Sequence, residues 1–302
     1  MNKINRDELF RRTRAALNPD IAREEVFAVL GLGSGGARVA EEMARFGVGR
    51  LILVDLPGER LEESNVIRHP LGYSSIGRLK TEAMAERLLD INPACDVQAE
   101  ELDIVLEPVR LLALLLNATQ ILLCTDNEES KHVANRVALA VRVPMVFAGV
   151  FDGGCGGEAG RAMPGQACYA CIAAALNRSA ISPMPEKTFD YSTPGQDEFR
   201  GTAALNIDIA QIALIQARMA LLTMLAKADP SQEIGANYIL FGNRPVPGLF
   251  PRMLHSQMQT IPRNPACMVC GDAGLSEEEA TREAAEIEAS ANCTTPPEGG
   301  NP

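Results

Sequence analysis

The first half of the chain contains short apolar runs and segments in which apolar residues recur at helical spacing. Residues 26–30 form an apolar run, residues 31–36 are rich in glycine, and residues 37–46 have helical spacing. A second apolar run follows at residues 51–55, and Gly47 stands where a helix C-cap is expected. The pattern predicts a strand–helix–strand unit, whose crossover in a parallel sheet is right-handed.

The same alternation continues to about residue 150. Residues 78–90 form an amphipathic helical segment, and a predicted helix at 128–140 lies between apolar runs at 121–124 and 143–150. Strands that alternate with helices are typical of α/β proteins. The sequence therefore predicts a Rossmann-like, mostly parallel sheet with helices on both faces.

The pattern changes after residue 150. Glycine-rich residues 151–167 and the short apolar runs within 235–260 predict an antiparallel C-terminal extension of the sheet. An apolar helical segment occupies residues 203–227. Residues 179–202 are polar and rich in proline, and a long irregular segment of this kind is usually functional or disordered. We therefore expect a mobile loop there.

We divide the chain into three segments. Residues 1–24 are a charged helical segment with a break at Pro19, and residues 25–274 form the main domain. Residues 275–302 begin with a run of acidic residues and end in a proline- and glycine-rich stretch. We expect this tail to be flexible.

Composition narrows the possible functions. The 302 residues are 46% hydrophobic and 22% charged, which suffices for a packed core, and the net charge is −11. Because affinity for a phosphate backbone comes mostly from basic patches, we expect no nucleic-acid partner. The chain shows neither a signal-peptide pattern nor an uninterrupted apolar run of about 18 residues, which predicts a cytoplasmic protein without a membrane partner.

The glycine-rich turn is the first candidate site. Gly31, Gly33 and Gly36 fit the spacing GxGxxG between a strand and a helix, a pattern that lets the backbone approach a phosphate group. Asp55 ends the second strand, where a carboxylate accepts hydrogen bonds from ribose hydroxyls. The two features predict a nucleotide site and leave NAD, FAD and ATP open.

Polar residues beyond this unit indicate a triphosphate. Arg68 and Lys80 follow the second strand and offer positive charge to phosphate groups. Asp126 follows a buried strand, at the sheet edge where ligands bind, and a carboxylate there suits Mg²⁺. The alternatives are surface charges for Arg68 and Lys80, and for Asp126 a helix N-cap, a role that it could share with Asn127.

Four of the eight cysteines form two CxxC pairs. Cys168 and Cys171 make the first pair, and Cys267 and Cys270 make the second. In a reducing compartment such pairs are more often metal ligands than disulfides, and four thiolates suit a closed tetrahedral zinc site. A redox CxxC is the alternative.

These blocks together resemble the ThiF/MoeB/HesA family, the bacterial relatives of ubiquitin-activating enzymes. The resemblance runs from about residue 26 to residue 271. Besides the glycine turn and the paired cysteines, it rests on matching motifs: SNVIRH at 64–69, Gly77, Lys80, INP at 91–93, CTDN at 124–127, Asn135 and Pro144.

The resemblance implies a function for each candidate residue. Asp55 would bind ribose, Asn65, Arg68 and Lys80 would contact the phosphates of ATP, and Asp126 would be the catalytic and Mg²⁺-binding carboxylate. The implied reaction is adenylation of the C-terminal glycine of a ubiquitin-like or sulfur-carrier protein by Mg-ATP. The family also implies a homodimer, a structural Zn²⁺ and a crossover loop at 179–202.

The chain departs from the family pattern at several positions. A second acid usually follows two residues after Asp55, and here the nearest acid is Glu59. His69 replaces the usual glutamine. Only arginines 11, 12 and 14 resemble the N-terminal motif that reaches into a partner subunit, and a solvated helix face is the preferred interpretation.

No cysteine lies between Cys171 and Cys267, where thioester-forming members carry their nucleophile. Cys155 and Cys293 are weak candidates, so we expect adenylation without an obligatory thioester. Two other functions stay open: an NAD(P)-dependent oxidoreductase and a non-catalytic scaffold that binds a partner. Asn65, Arg68, Lys80 and Asp126 favour the adenylating enzyme over both.

Overall fold

A single eight-stranded sheet organises the computed structural model, which describes residues 4–176 and 203–272. The strands are β1 Val26–Leu30, β2 Arg50–Asp55, β3 Asp96–Glu101, β4 Gln120–Leu123, β5 Met145–Val150, β6 Gly156–Ala162, β7 Tyr238–Gly242 and β8 His255–Gln259. Their spatial order is β3-β2-β1-β4-β5-β6-β7-β8. The pairings from β3 across to β5 are parallel, and those from β5 to β8 are antiparallel. The predicted fold class is confirmed.

Helices cover both faces of this sheet. They are α1 Arg6–Leu9, α2 Pro19–Arg23, α3 Ser34–Phe46, α4 Lys80–Ile91, α5 Pro108–Leu115, α6 Glu128–Ala140, α7 Tyr169–Leu176 and α8 Asn206–Leu225. Residues of α3, α4 and α8 form one apolar core with the sheet, and residues of α5, α6 and α7 form the other. The inner parallel strands β1, β2, β4 and β5 are therefore covered on both sides, which explains their continuous apolar runs.

Helix α8 is long and apolar enough, by length and composition, to cross a membrane. More than half (56%) of its most apolar window is buried inside the fold, where it packs against α3, β5 and β6. Burial of this kind is typical of the core helix of a globular domain.

The N-terminal segment differs from the single interrupted helix that the sequence predicts. It forms two short helices, and Pro19 is the first residue of the second, a position where its missing N–H costs no hydrogen bond. Arg6 donates to the carbonyl of Gly47 at 3.2 Å. Gly47 has a φ of 87° and caps the C-terminus of α3, as predicted.

Two elements were not predicted at all. Strand β3 lies at the sheet edge with a polar sequence, and α5 follows it. In the glycine-rich region, β6 pairs with β5 as an antiparallel hairpin. The loop predicted at 179–202 and the tail predicted at 275–302 lie outside the described residues.

Candidate functional site

A cavity of about 1380 Å³ opens at the carboxyl ends of the parallel strands. The strand order reverses between β1 and β4, so the loops that follow these two strands diverge and leave a crevice. Seven of the sequence-predicted residues line the cavity together: Gly31, Gly33, Asp55, Asn65, Arg68, Lys80 and Asp126. Their shared location agrees with the prediction of a nucleotide site at this edge.

The glycine turn needs glycine for two different reasons. Gly31 has a φ of 92°, a left-handed conformation that other residues rarely adopt. A Cβ atom at Gly36 would overlap the carbonyl oxygen of Gly31, so Gly36 lets α3 pack onto the turn and does not line the cavity. At Gly33, by contrast, an added Cβ would meet no atom within 4 Å. The N-cap of α3 at Gly33 therefore faces open space, as phosphate binding at a helix N-terminus requires.

Asp55 presents an unsatisfied acceptor to the cavity. Its Oδ1 accepts a hydrogen bond from the N–H of Leu56 at 3.0 Å. Its Oδ2 is buried and has no hydrogen-bond partner within the part of the chain that the structure describes. Burial raises the pKa of Asp55, and the nearby charge of Lys80 opposes the rise. A buried acceptor in this position fits a ribose hydroxyl, since an unpaired buried oxygen is costly.

Lys80 is the first residue of α4, and its side chain is 13% exposed. Its Nζ lies 2.7 Å from Oε2 of Glu59, which also lines the cavity. The chain reaches this position through a turn at Gly58, whose φ is 76°. Glu59, the acid nearest to Asp55 in the sequence, therefore holds the ammonium group of Lys80.

Asn65 and Arg68 belong to the segment that follows β2. Asn65 ends a 3-10 turn that spans Glu63–Asn65, and the backbone N–H of Arg68 donates to its carbonyl at 3.0 Å. The same carbonyl accepts from the N–H of His69 at 2.9 Å. The compact turn brings both side chains to the wall of the cavity.

Asp126 and Asn127 have separate roles at the start of α6. Asn127 is the N-cap, and its Oδ1 accepts a hydrogen bond from the N–H of Ser130 at 2.8 Å. Asp126 is exposed and lines the cavity, so the N-cap interpretation of Asp126 is wrong. The carboxylate is left available to a cation or a phosphate-bound metal.

Several cavity residues were not predicted from the sequence. Lys131 is only 7% exposed, and its Nζ pairs with Oε1 of Glu128 at 2.8 Å. Gln216 of α8 donates from Nε2 to the carbonyl of Leu123, the last residue of β4, at 2.9 Å and to the carbonyl of Val146, near the start of β5, at 3.1 Å. A glutamine within an apolar helix is a signal that could have identified Gln216; the sequence holds no comparable signal for Lys131.

The four cysteines of the CxxC pairs converge at a second site. Their Sγ atoms all lie within 4.8 Å of one another, with separations of 3.9 Å for Cys168–Cys171, 3.9 Å for Cys168–Cys267 and 3.4 Å for Cys171–Cys270. A zinc ion with Zn–S bonds of about 2.3 Å would place tetrahedral sulfur atoms about 3.8 Å apart. The cluster therefore has the dimensions of a tetrahedral tetrathiolate site.

Backbone N–H groups point at this sulfur cluster. Asn264 donates to Sγ of Cys171 and Val269 donates to Sγ of Cys267, each at 3.5 Å. Although burial opposes ionisation, the N–H groups of Cys270 and Val269 lower the pKa of Cys267 to about 7. Such donors stabilise the thiolate form that binds a metal.

Burial disfavours the thiolate form of the remaining described cysteines. Burial raises the pKa of Cys95 and of Cys124 to about 12, and it also raises the pKa of Cys155. Cys155 lines the cavity and is 6% exposed. Cys293 lies outside the described residues. The expectation that adenylation does not require a thioester on this chain stays a prediction from the sequence.

The N-terminal arginines belong to a segment at the amino ends of the strands, whereas the cavity opens at their carboxyl ends. The segment packs beside the amino end of β2, where the N–H of Gly49 donates to the carbonyl of Ala22 at 3.0 Å. Arg11 pairs with Glu8 and Arg14 pairs with Asp7 on its exposed side. They do not contribute to the cavity of the same chain.

The family model described as ThiF family matches residues 6–250. The chain therefore belongs to the ThiF family, as the resemblance in the sequence indicates.

Individual relatives and structures agree with this assignment. Ubiquitin-like modifier-activating enzyme 5 of Oryza sativa subsp. japonica is 26% identical over 267 residues, which cover 83% of this chain and 58% of the plant protein. The chain thus spans less than two thirds of that relative. SAMP-activating enzyme E1 of Haloferax volcanii is 24% identical over 250 residues, 82% of this chain and 80% of the archaeal protein. Escherichia coli MccB with AMPCPP and MccA shares the fold, with a TM-score of 0.67, 19% identity and coverage of 90% and 76%.

Proposed function

We propose that this chain uses ATP to adenylate the C-terminal glycine carboxylate of a ubiquitin-like or sulfur-carrier protein. One observation carries the proposal: the residues that the reaction needs line a single cavity at the point where the strand order reverses. These residues are Gly31, Gly33, Asp55, Asn65, Arg68, Lys80 and Asp126.

The reaction joins two anions, so the site must supply positive charge. A carboxylate oxygen of the acceptor attacks the α-phosphorus of ATP, and the bond from this phosphorus to the oxygen bridging the β-phosphate breaks. Pyrophosphate leaves and the acyl-adenylate forms. Arg68 and Lys80 stabilise the charge that develops on the leaving group, while Asp55 and the glycine turn orient the nucleotide.

Asp126 is the residue that would hold Mg²⁺. Its carboxylate faces the cavity and is not engaged as the N-cap, since Asn127 performs that role. A bound Mg²⁺ supplies charge to the phosphate oxygens, and carboxylate and phosphate oxygens are its preferred ligands. For Zn²⁺ we propose Cys168, Cys171, Cys267 and Cys270, whose spacing suits a structural site.

The acceptor has its own region of the cavity. The volume of about 1380 Å³ exceeds the roughly 300–1000 Å³ that is typical of a small-molecule pocket. Beyond β5 the wall continues through Cys155, Glu158 and Arg244. This part would receive the extended tail of a protein. The names of two relatives, a ubiquitin-like modifier-activating enzyme and a SAMP-activating enzyme, support a small protein as acceptor. The homodimer and the cytoplasmic location stay predictions from the sequence.

An NAD(P)-dependent oxidoreductase is the main alternative, since Asp55 and the glycine turn suit either nucleotide. Arg68, Lys80 and Asp126 favour a triphosphate with a metal ion, because the pyrophosphate of a dinucleotide is esterified at both ends and offers no free β- and γ-phosphates. Their location in one cavity also argues against a scaffold that has lost its activity.

Exchange of labelled pyrophosphate into ATP tests the proposal. The purified chain is assayed with a panel of small proteins from the same genome that end in Gly-Gly, each paired with a variant lacking the last glycine. We expect exchange with at least one full-length member and none with its truncated partner. Absence of exchange with every member, together with tight binding of NADH, would overturn the proposal.

A further inference from the structure

A buried tyrosine joins the cysteine cluster to the helix that borders the cavity. Tyr169 follows Cys168 directly and is fully buried. Its hydroxyl donates to Oε2 of Glu128 at 2.7 Å, and its ring packs edge-on against Phe147 with centroids 4.9 Å apart. The position of this hydroxyl is therefore fixed by the start of α7, between Cys168, which directly precedes the helix, and Cys171, which lies in its first turn.

Glu128 contacts both Tyr169 and a residue of the cavity wall. It is the first residue of α6, and its Oε1 accepts from Nζ of Lys131 at 2.8 Å. Lys131 lines the cavity, as do Thr125 and Asp126 just before the helix. One carboxylate thus holds both a hydroxyl beside the cysteine cluster and an ammonium group beside the proposed nucleotide.

A second hydrogen bond links the same two helices further along α6. Oδ1 of Asn135, which is 1% exposed, accepts from the backbone N–H of Tyr169 at 2.9 Å. The start of α7 is therefore attached to α6 at Glu128 and at Asn135, two turns apart. A shift at the start of α7 would be transmitted to the first turn of α6 rather than absorbed between the helices.

We propose that Tyr169 is a positioning residue that couples metal binding at the cysteine cluster to nucleotide binding in the cavity. The inference rests on the proposed function, since it takes ATP as the nucleotide and Zn²⁺ as the metal. With metal bound, Cys168 and Cys171 hold Tyr169 against Glu128, and Glu128 keeps Lys131 in place at the cavity wall. Without metal this restraint is lost, and the first turn of α6 is free to shift.

Tyr169→Phe tests the coupling because it removes the hydroxyl and keeps the packed ring. Tyr238→Phe is a matched control for nucleotide affinity: Tyr238 is 1% exposed, and its hydroxyl donates at 2.7 Å to Oε2 of Glu158, in the part of the cavity proposed for the acceptor and not for the nucleotide. Bound zinc, the affinity for Mg-AMPCPP by calorimetry, and circular dichroism are measured for the wild type and both variants, before and after chelation.

We expect chelation to weaken Mg-AMPCPP binding to the wild type by at least about fivefold. Metal-loaded Tyr169→Phe should bind one zinc per chain and already show a similar weakening, with little further effect of chelation. Tyr238→Phe should behave as the wild type in nucleotide affinity. If chelation unfolds the chain, the test is the affinity for Mg-AMPCPP of the three metal-loaded proteins: the wild type, Tyr169→Phe and Tyr238→Phe.

Wild-type affinity in metal-loaded Tyr169→Phe would overturn the inference, as would an equal effect of chelation in this variant and the wild type. If the wild type fails to bind Mg-AMPCPP, the proposed function fails and the coupling is judged by amide hydrogen exchange at residues 125–131. There we expect faster exchange in the metal-loaded Tyr169→Phe variant than in the metal-loaded wild type. Unchanged exchange would overturn the coupling on its own.

Discussion

His69 joins two separate parts of the cavity wall through its ring. Its Nδ1 accepts from the N–H of Leu71 at 3.1 Å, so Nε2 carries the proton and donates to the carbonyl of Leu32 at 3.0 Å. Leu32 belongs to the glycine turn, and His69 follows Arg68 directly. The neutral imidazole thus fixes the backbone next to Arg68, the proposed phosphate contact, relative to the turn.

This contact predicts a pH-dependent stability. Burial lowers the pKa of His69 to about 4, whereas an unfolded histidine titrates near 6.5. Between these values the unfolded chain binds a proton that the native chain does not, so stability falls as the pH drops from 6.5 to 4. The total loss from this group is about 3 kcal/mol, and below pH 4 it adds no further loss.

His69→Gln should remove this part of the pH dependence. Glutamine offers one acceptor and one donor, as neutral imidazole does, and it is the usual residue of the family here. Urea unfolding at pH 7, 5.5 and 4 measures the free energy of each protein. We expect the free energy of unfolding to fall less between pH 7 and pH 4 in the variant than in the wild type. An equal decrease in both proteins would show that His69 does not titrate as described.

Alanine at two glycines of the turn should have different effects. Gly33→Ala adds a Cβ into open space at the cavity, so we expect a folded protein with nucleotide affinity at least about tenfold weaker. Gly36→Ala would force the Gly31 carbonyl and α3 apart, which predicts destabilisation of about 2 kcal/mol or more. Thermal unfolding and calorimetry with Mg-AMPCPP distinguish the two; a stable Gly36→Ala chain would contradict the packing assignment.

Substitutions at Asp126 and Asn127 should affect different properties, the rate of pyrophosphate exchange for Asp126 and the stability of the fold for Asn127. Asp126→Asn is expected to leave the melting temperature unchanged and to slow pyrophosphate exchange at least about 100-fold, because it removes the metal-binding charge. Asn127→Ala is expected to cost about 1 kcal/mol of stability through loss of the N-cap. Exchange that survives in Asp126→Asn would remove this residue from its proposed role.

The cysteine cluster should bind one zinc ion per chain. Cys270→Ser is predicted to lower the bound zinc and the melting temperature, because one of four thiolates is lost. Cys95→Ala is the control, since Cys95 is buried among apolar residues, more deeply than Cys270, and is not part of the cluster. Metal analysis of both variants checks this, and a metal-free wild type of full stability would contradict it.

The fold and the location of the cavity follow from sequence patterns. Because the carboxyl ends of parallel strands share one edge, Asp55 and Asp126 could be placed near the glycine turn without coordinates. The parallel strands are covered on both faces and read as continuous apolar runs. Strand β3 is a polar edge strand, so it lacks this signal and was missed.

Other features depend on how loops and side chains meet in space. The pairing of Lys80 with Glu59 requires the left-handed turn at Gly58, and no periodic pattern encodes it. The N-cap is Asn127 and not Asp126, a difference of one residue that sequence propensities do not resolve. The link from Tyr169 to Glu128 joins residues 41 positions apart.

A crystal structure of the chain grown with Mg²⁺ and AMPCPP tests the central claim most directly. We expect the triphosphate to lie against the glycine turn, with its ribose on Asp55 and its phosphates within hydrogen-bond distance of Arg68 and Lys80. The metal ion should contact Asp126. Nucleotide bound elsewhere, or a cavity that excludes AMPCPP and binds NADH, would contradict the account.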